Sequence, residues 1–399
     1  MRNTAPVAML AMLVASILPT AFAADTQWVG TWSAAPDSTG PSLKNQSVRE
    51  IARLSAGGPS IRIRLSNLLG TQPVIIGPVR VAQHARGSAI TPGSSHDVTF
   101  SGEPVVTIPK GESRLSDPIA FAVAPLTELA ISLYLPSDTG QSTQHALGMQ
   151  TAFITESGDA TAAVNFPDDD VITSRPFVTD VEVSAGPQAR TIVAFGDSIT
   201  DAAGSTPDMN RRWPDVLADR LQADPALRLI AVINSGISGN RILRDKAGPS
   251  ALARIDRDAL DKAGARWVIF LEGINDIGFV GTSKLPADQV SADQIIGGMK
   301  TLIARTHQRG LKIAGATLTP FAGFDWPYHT IAGEAKRQAV NAWIRSGGAF
   351  DAIIDFDKAV RDPARPDHIL PQYDADHIHP NDAGCKALAD AVDLTVFAR

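Results

Sequence analysis

Two short polar clusters, far apart in the chain, hold the groups that acyl transfer requires. Gly196-Asp197-Ser198-Ile199-Thr200 sets a serine hydroxyl on a tight turn directly after an apolar run, and Asp376-His377-Ile378-His379-Pro380 sets acid and imidazole side by side near the C terminus. A serine hydroxyl is a poor nucleophile until a base takes its proton, and the base works best when a carboxylate fixes its tautomer and steadies its charged form. Ser198, His379 and Asp376 offer one group of each kind, with Asp376 three residues before His379. Alone, a serine after Gly-Asp is weak, because that place is commonly an N-cap or a turn. The rival reading of the second cluster is a metal site on His377 and His379. It needs further ligands, and the six other histidines are scattered, with no His-Glu-x-x-His pattern.

Two more clusters lie between these. Asn234-Ser235-Gly236-Ile237-Ser238-Gly239-Asn240 contains glycines that let backbone N–H groups approach a ligand closely. Gly273-Ile274-Asn275-Asp276 offers a side-chain amide that can donate to developing negative charge. Any surface turn contains such residues. Their placement separates them from ordinary turns.

From about 191 onward, apolar runs of five or six residues alternate with helix-period stretches. Strands are predicted over 191–195, 229–233, 267–271, 313–318 and 352–356, and helices over 214–221, 251–263, 292–308 and 333–344. That alternation implies a mainly parallel sheet covered on both faces, which binds ligands beyond the carboxyl ends of its strands. Three of the four clusters fall there, and the fourth precedes the last helical run and can fold back over the same edge. Between 25 and 187 the pattern has a period near two, as in Ser60-Ile61-Arg62-Ile63-Arg64-Leu65, with turn-forming clusters between the runs. This predicts an antiparallel β-domain, a sandwich. The organisation read from the sequence is a leader over 1–23, a β-rich domain over 24–187 and an α/β domain over 188–399, with 184–188 as linker.

Taken in order, the four clusters resemble the signature blocks of the GDSL/SGNH hydrolases. Ser198 matches the nucleophile, Gly239 the glycine of the second block, Asn275 the asparagine of Gly-x-Asn-Asp, and Asp376 with His379 the Asp-x-x-His block. The resemblance runs from about 191 to the C terminus. Arg212-Trp213-Pro214 and Leu271-Glu272-Gly273-Ile274-Asn275-Asp276-Ile277-Gly278 look like a bacterial branch of exported esterases and lysophospholipase-like proteins, which also tends to carry a β-rich region opening like Trp28-Val29-Gly30-Thr31-Trp32-Ser33. The resemblance implies a flavodoxin-like three-layer domain with a five-stranded sheet. It also implies a serine esterase acting through an acyl-enzyme on Ser198, with an oxyanion hole from the N–H of Ser198, the N–H of Gly239 and the side chain of Asn275, and no metal or organic cofactor. Ala202 and Cys385 depart from the pattern, standing where relatives often have Gly and an aromatic residue.

The implied substrates are short acyl esters or acetylated carbohydrates. Lysophospholipids, aryl esters and transfer to an alcohol use the same residues. A contrasting reading is a silent polysaccharide-binding protein, with Trp28, Trp32, Trp213, Trp326 and Tyr328 stacking on sugar rings, although tryptophans more often serve as core or domain-contact residues. Arg211, Arg212 and Trp213 either line the cleft or form a solvated helix start. The net charge of -6, with no run of Lys or Arg, excludes a nucleic-acid partner, and 44% hydrophobic with 20% charged residues excludes disorder. Arg2, the apolar stretch from Val7 to Leu18 and Ala21-Phe22-Ala23 read as a signal peptide cleaved after Ala23, which predicts a secreted or periplasmic protein with no transmembrane anchor thereafter. Cys385 is the single cysteine, so no internal disulfide forms and the residue is expected to be a small buried apolar group.

Overall fold

The alternating half folds as its period demands. Gln27–Ser33, Val178–Ala185, Ile61–Ser66 and Ser113–Leu115 form one antiparallel sheet. Gln46–Arg53, Glu128–Leu135 and Val79–Arg86 form the centre of a second, seven-stranded one. Ile61, Ile63, Leu65, Val181 and Val183 of the first share one core with Val48, Val81, Leu129, Ile131 and Leu133 of the second. Two sheets facing each other across a single core make a sandwich. This computed structural model describes residues 1, 27–283, 285–324 and 327–398. The expected leader and Trp326 lie outside the described residues. Among the described residues no helix is long and apolar enough to cross a membrane.

The second half is a parallel sheet of β1 (Arg190–Gly196), β2 (Ile230–Gly236), β3 (Ala265–Leu271), β4 (Lys312–Ala316) and β5 (Ala352–Ile354), in the order β2-β1-β3-β4-β5. That is the flavodoxin-like order, whose switch point lies between β1 and β3. Its helices are α1 (Ser198–Asp201), α2 (Trp213–Ala223), α3 (Ala251–Ile255), α4 (Ile274–Thr282), α5 (Ala292–Gln308), α6 (Ile331–Ser346), α7 (Phe356–Val360) and α8 (Asp382–Asp390). Buried apolar side chains of the strands, such as Val193, Phe195, Ile269 and Phe270, pack with Leu217, Leu302, Val340 and Leu388 of the helices. The five predicted strands and the helix over 292–308 lie where the sequence put them.

One helix differs. The segment expected to be helical over 251–263 is an α-helix only to Ile255, then a π-helical turn over Asp256–Leu260. The widened turn is closed by the Asp261 N–H donating to the Asp256 carbonyl at 2.8 Å, and Gly264, at φ 68°, then redirects the chain into β3.

The two halves are bonded together along the first strand of the sandwich. The Gly30 N–H donates to the Ala263 carbonyl at 2.8 Å, Thr191 Oγ1 to the Gly30 carbonyl at 3.1 Å, and Ser33 Oγ to the Asn234 carbonyl at 2.7 Å.

Candidate active site

Ser198 is the first residue of α1, two residues beyond the end of β1. Asp197 caps the helix, its carboxylate accepting from the Ile199 N–H at 3.0 Å, and the helix ends at Ala202 in the left-handed region at φ 66°. A glycine would take that conformation without a Cβ penalty, so the departure at Ala202 falls at a place of real backbone demand. The turn is tight enough that a Cβ at Gly196 would come within 2.3 Å of the Leu271 carbonyl oxygen.

The loop before α8 delivers the imidazole of His379. Asn381 caps α8, accepting from the Gly384 N–H at 3.0 Å, and Asp382 accepts from Thr206, tying α8 to the loop that follows α1. His379 Nε2 then lies 2.8 Å from Ser198 Oγ, and His379 Nδ1 lies 2.7 Å from Asp376 Oδ2. Because the carboxylate can only accept, Nδ1 carries the proton and Nε2 is left to take one from the serine. The His379 backbone N–H also donates to Asp376 Oδ1 at 2.9 Å, so one carboxylate fixes both ring and backbone. Burial works against the charged form of Asp376, but the hydrogen bonds from His379 and Ile378 outweigh it and hold the carboxyl below its ordinary range. Ser198 is 4% exposed.

Asn275 sits in the first turn of α4, just past β3. Its Nδ2 donates to the Asn240 carbonyl at 2.9 Å, which brings the second and third clusters into contact. Gly239, the residue before Asn240, has φ 76°, and a Cβ there would press within 3.0 Å of the Ala247 methyl. The structure therefore brings Ser198, Asp376 and His379 into one hydrogen-bonded chain and gathers Gly239 and Asn275 at the adjoining strand ends. His377 is turned elsewhere, its Nδ1 on Asp374 at 2.8 Å. Among the described residues no group of three or more His, Cys, Asp or Glu is arranged to hold a metal ion.

Three features under the site had no signal in the sequence reading. The first is Arg254 on α3, whose side chain is fully buried. It donates to Asn240 Oδ1, the Ser235 carbonyl and the Gly196 carbonyl, each at 2.8 Å, and to Glu272 at 3.3 Å. One cation thus braces the ends of β1, β2 and β3. The second is a set of buried carboxyls around it. Burial pushes Asp197 up to about 7 and Asp276 up to about 6, and it raises Glu272 well above the usual range despite Arg254 beside it.

The third is His145, 5% exposed, on the strand Ser142–His145 of the β-rich half. Its Nδ1 faces the Ala35 carbonyl at 2.9 Å and Asp37 at 3.3 Å, and its Nε2 faces the Leu147 carbonyl at 3.0 Å and Asp201 of α1 at 3.1 Å. Every partner is an acceptor, so both ring nitrogens carry protons. Desolvation opposes the charge, but Asp201 and Asp37 prevail and raise the imidazole well above its ordinary value. The bridge's stabilisation is therefore complete below about pH 6.5, the ordinary imidazole value, and is lost as pH rises through the raised folded value. In thermal melts, the stability advantage of the wild type over His145→Gln is expected to be largest below that pH and to shrink towards alkaline pH. An advantage that grows with pH would mean the folded imidazole is neutral.

Trp213 and Trp32 take the core role open to them, while Arg212 departs from both of its expected roles. Trp213 is fully buried, edge-on to Phe356 at 5.4 Å between centroids, and Trp32 is also buried, because both fill cores that small side chains would leave void. Trp28 lies under the Arg62 guanidinium at 4.3 Å. Arg212 is neither in the cleft nor solvated. It is largely buried and paired with Asp215 at 2.7 Å, whereas Arg211 is exposed. Cys385 is buried as expected, and burial pushes its thiol up to about 12.

Residues 194–387 match the family model described as the GDSL-like Lipase/Acylhydrolase family. No curated protein matches the chain. Among solved structures, a GDSL-like lipase from Bacteroides thetaiotaomicron is 17% identical, with 52% of this chain and 88% of that one covered and a TM-score of 0.39. A carbohydrate acetylesterase from Sinorhizobium meliloti is 16% identical over 51% and 95%, with a TM-score of 0.40. An aryl esterase from M. smegmatis is 20% identical over 51% and 96%, with a TM-score of 0.41.

Proposed function

Since the segment 194–387 belongs to the GDSL-like lipase/acylhydrolase family, we propose that the protein is a serine hydrolase cleaving carboxylic esters through an acyl-enzyme on Ser198. The observation that carries the proposal is the unbroken chain from Ser198 Oγ through His379 to Asp376, at 2.8 and 2.7 Å. Ser198 attacks the ester carbonyl while His379 Nε2 takes its proton. The protonated imidazole, steadied by Asp376, then returns that proton to the departing alcohol. Water enters by the same route and releases the acid.

Negative charge developing on the carbonyl oxygen is assigned to the N–H of Ser198, the N–H of Gly239 and the free hydrogen of Asn275 Nδ2. As the first residue of a helix, Ser198 has an N–H without an intrahelical acceptor. We read residues 24–187 as a β-domain that braces the hydrolase domain over 188–399, and 1–23 as the leader that exports both.

The substrate class we favour is short acyl esters, acetylated carbohydrates among them. Ser198 is almost covered, and the ring of Phe324 stands edge-on to His379 at 6.3 Å between centroids, so a small acyl group fits best beside the nucleophile. The test is hydrolysis of p-nitrophenyl esters of graded acyl length by the purified protein, with a chelator control. Turnover is expected to be highest for acetate and butyrate and indifferent to chelator. A preference for long chains would favour lipid esters, and silence on every ester would remove the hydrolase reading.

A further inference from the structure

The amide of Asn275 has two ends, and both are held. Its Nδ2 faces the Asn240 carbonyl at 2.9 Å, a group that can only accept. Its Oδ1 faces the Tyr328 hydroxyl at 2.5 Å, and since Oδ1 also can only accept, the phenol donates. These two bonds fix which end of the amide is nitrogen and prevent it from turning over.

The seat for the phenol is built into α4. Gly278 lies one turn after Asn275 on the same helix face, and a Cβ there would meet the Tyr328 ring at 2.0 Å. One turn further, a Cβ at Gly281 would meet the Pro327 carbonyl oxygen at 1.8 Å. Two glycines three residues apart therefore cut a groove along the helix that only the segment carrying Tyr328 fills. The ring is held on its other sides, edge-on to Phe279, Phe321 and Phe324 at 5.5, 6.2 and 5.2 Å between centroids. Tyr328 is 7% exposed, and burial raises its hydroxyl above its ordinary value, which keeps the proton available for donation.

We infer that Tyr328 is a positioning residue for the oxyanion donor, locking the Asn275 amide so that its second N–H is presented to the developing charge without reorganisation. The inference rests on the reading of Asn275 as that donor. A donor fixed before the reaction stabilises the transition state and not the bound ester, because no free energy is then spent orienting it as charge develops. The hydrogen bond accepted by Oδ1 also polarises the amide, strengthening the N–H that remains.

The experiment is a double-mutant cycle on the full chain with p-nitrophenyl acetate, comparing wild type, Tyr328→Phe, Asn275→Ala and the pair. Asn275→Ala is expected to lower kcat on the order of a hundredfold to a thousandfold, the usual loss for one oxyanion donor. Tyr328→Phe, which keeps the ring and removes only the hydroxyl, is expected to lower kcat roughly ten- to a hundredfold, as for other groups that orient a reacting side chain, with KM and melting temperature close to wild type. Once Asn275 is gone the phenol has nothing to orient, so the double variant is expected to be no slower than Asn275→Ala alone. Gly278→Ala, which displaces the ring, is expected to repeat the Tyr328→Phe loss. Wild-type kcat in Tyr328→Phe, or losses that multiply in the double variant, would overturn the inference while leaving the oxyanion reading intact. Wild-type turnover by Asn275→Ala would instead remove that reading and the inference with it.

Discussion

Replacing Ser198 by Ala is expected to lower kcat for ester hydrolysis by something on the order of a millionfold, the loss seen when the nucleophile of such a triad is removed. In the proposed mechanism the three residues act as a unit: without the hydroxyl, His379 has no proton to take and Asp376 no imidazolium to steady. What remains is the slow attack of water on an ester held by the oxyanion donors. The fold should not change. The side chain of Ser198 bonds to His379, and the backbone contacts that shape its turn, including the Ala202 N–H donating to the Ser198 carbonyl at 2.7 Å, survive the substitution. Melting curves of the variant and wild type are therefore expected to overlay. A variant that keeps a tenth of wild-type turnover would place the nucleophile elsewhere.

The largest effect on stability is expected at Arg254. Arg254→Met removes the donors to Asn240 Oδ1, the Ser235 carbonyl, the Gly196 carbonyl and Glu272, all of them buried. Breaking a buried ion pair by removing one partner typically destabilises by about 3–5 kcal/mol, because the other is left uncompensated. Here Glu272, which burial has already raised well above its ordinary range, can be held neutral without the cation, so a loss at the lower end of those values is expected. The useful contrast is Arg309→Met, whose partner Asp261 shares an exposed surface site and whose loss should be far smaller because water screens the pair. Denaturant unfolding of both variants measures the difference. A loss at Arg254 no greater than at Arg309 would mean that the strand ends hold their geometry without it. Activity should fall as well in Arg254→Met, since the same bonds fix the loops that carry Ser198, Gly239 and Asn275.

The sheet was legible because its signal is local. Strands β1 to β4 are buried on both faces over most of their length and read as apolar runs, whereas Ile353 in β5 is exposed, and Ser198, Gly239 and Asn275 follow such runs within a few residues. Asp376 and His379 were legible because they lie only three positions apart. The groups that were missed act across distance. Tyr328 meets Asn275 across 53 positions and Arg254 meets Gly196 across 58, and no periodicity records either contact. The helix over 251–263 was overread because a π-helical turn keeps the composition of an α-helix while changing its hydrogen bonds. Trp213 is open to two uses in the sequence because aromatic residues serve both cores and sugar sites, and only burial separates them. One weak trace of the missing contacts was present: the glycines at 278 and 281, spaced one turn apart inside a helix, have no purpose there unless another segment packs against them.

His145 gives the β-rich half a chemical role of its own. Its bridge from Asp37 to Asp201 runs from the sandwich into the four-residue helix that begins with Ser198. The two halves therefore share the element that carries Ser198.

The central claim is that Ser198 is activated by His379 and carries the acyl group. The most direct measurement is covalent trapping with a fluorophosphonate, which reacts only with an activated serine, followed by intact mass and peptide mapping. One equivalent of label is expected on the peptide containing Ser198, absent in Ser198→Ala and strongly slowed in His379→Ala. Label on a different residue, or ester hydrolysis that persists while Ser198 stays unlabelled, would contradict the account.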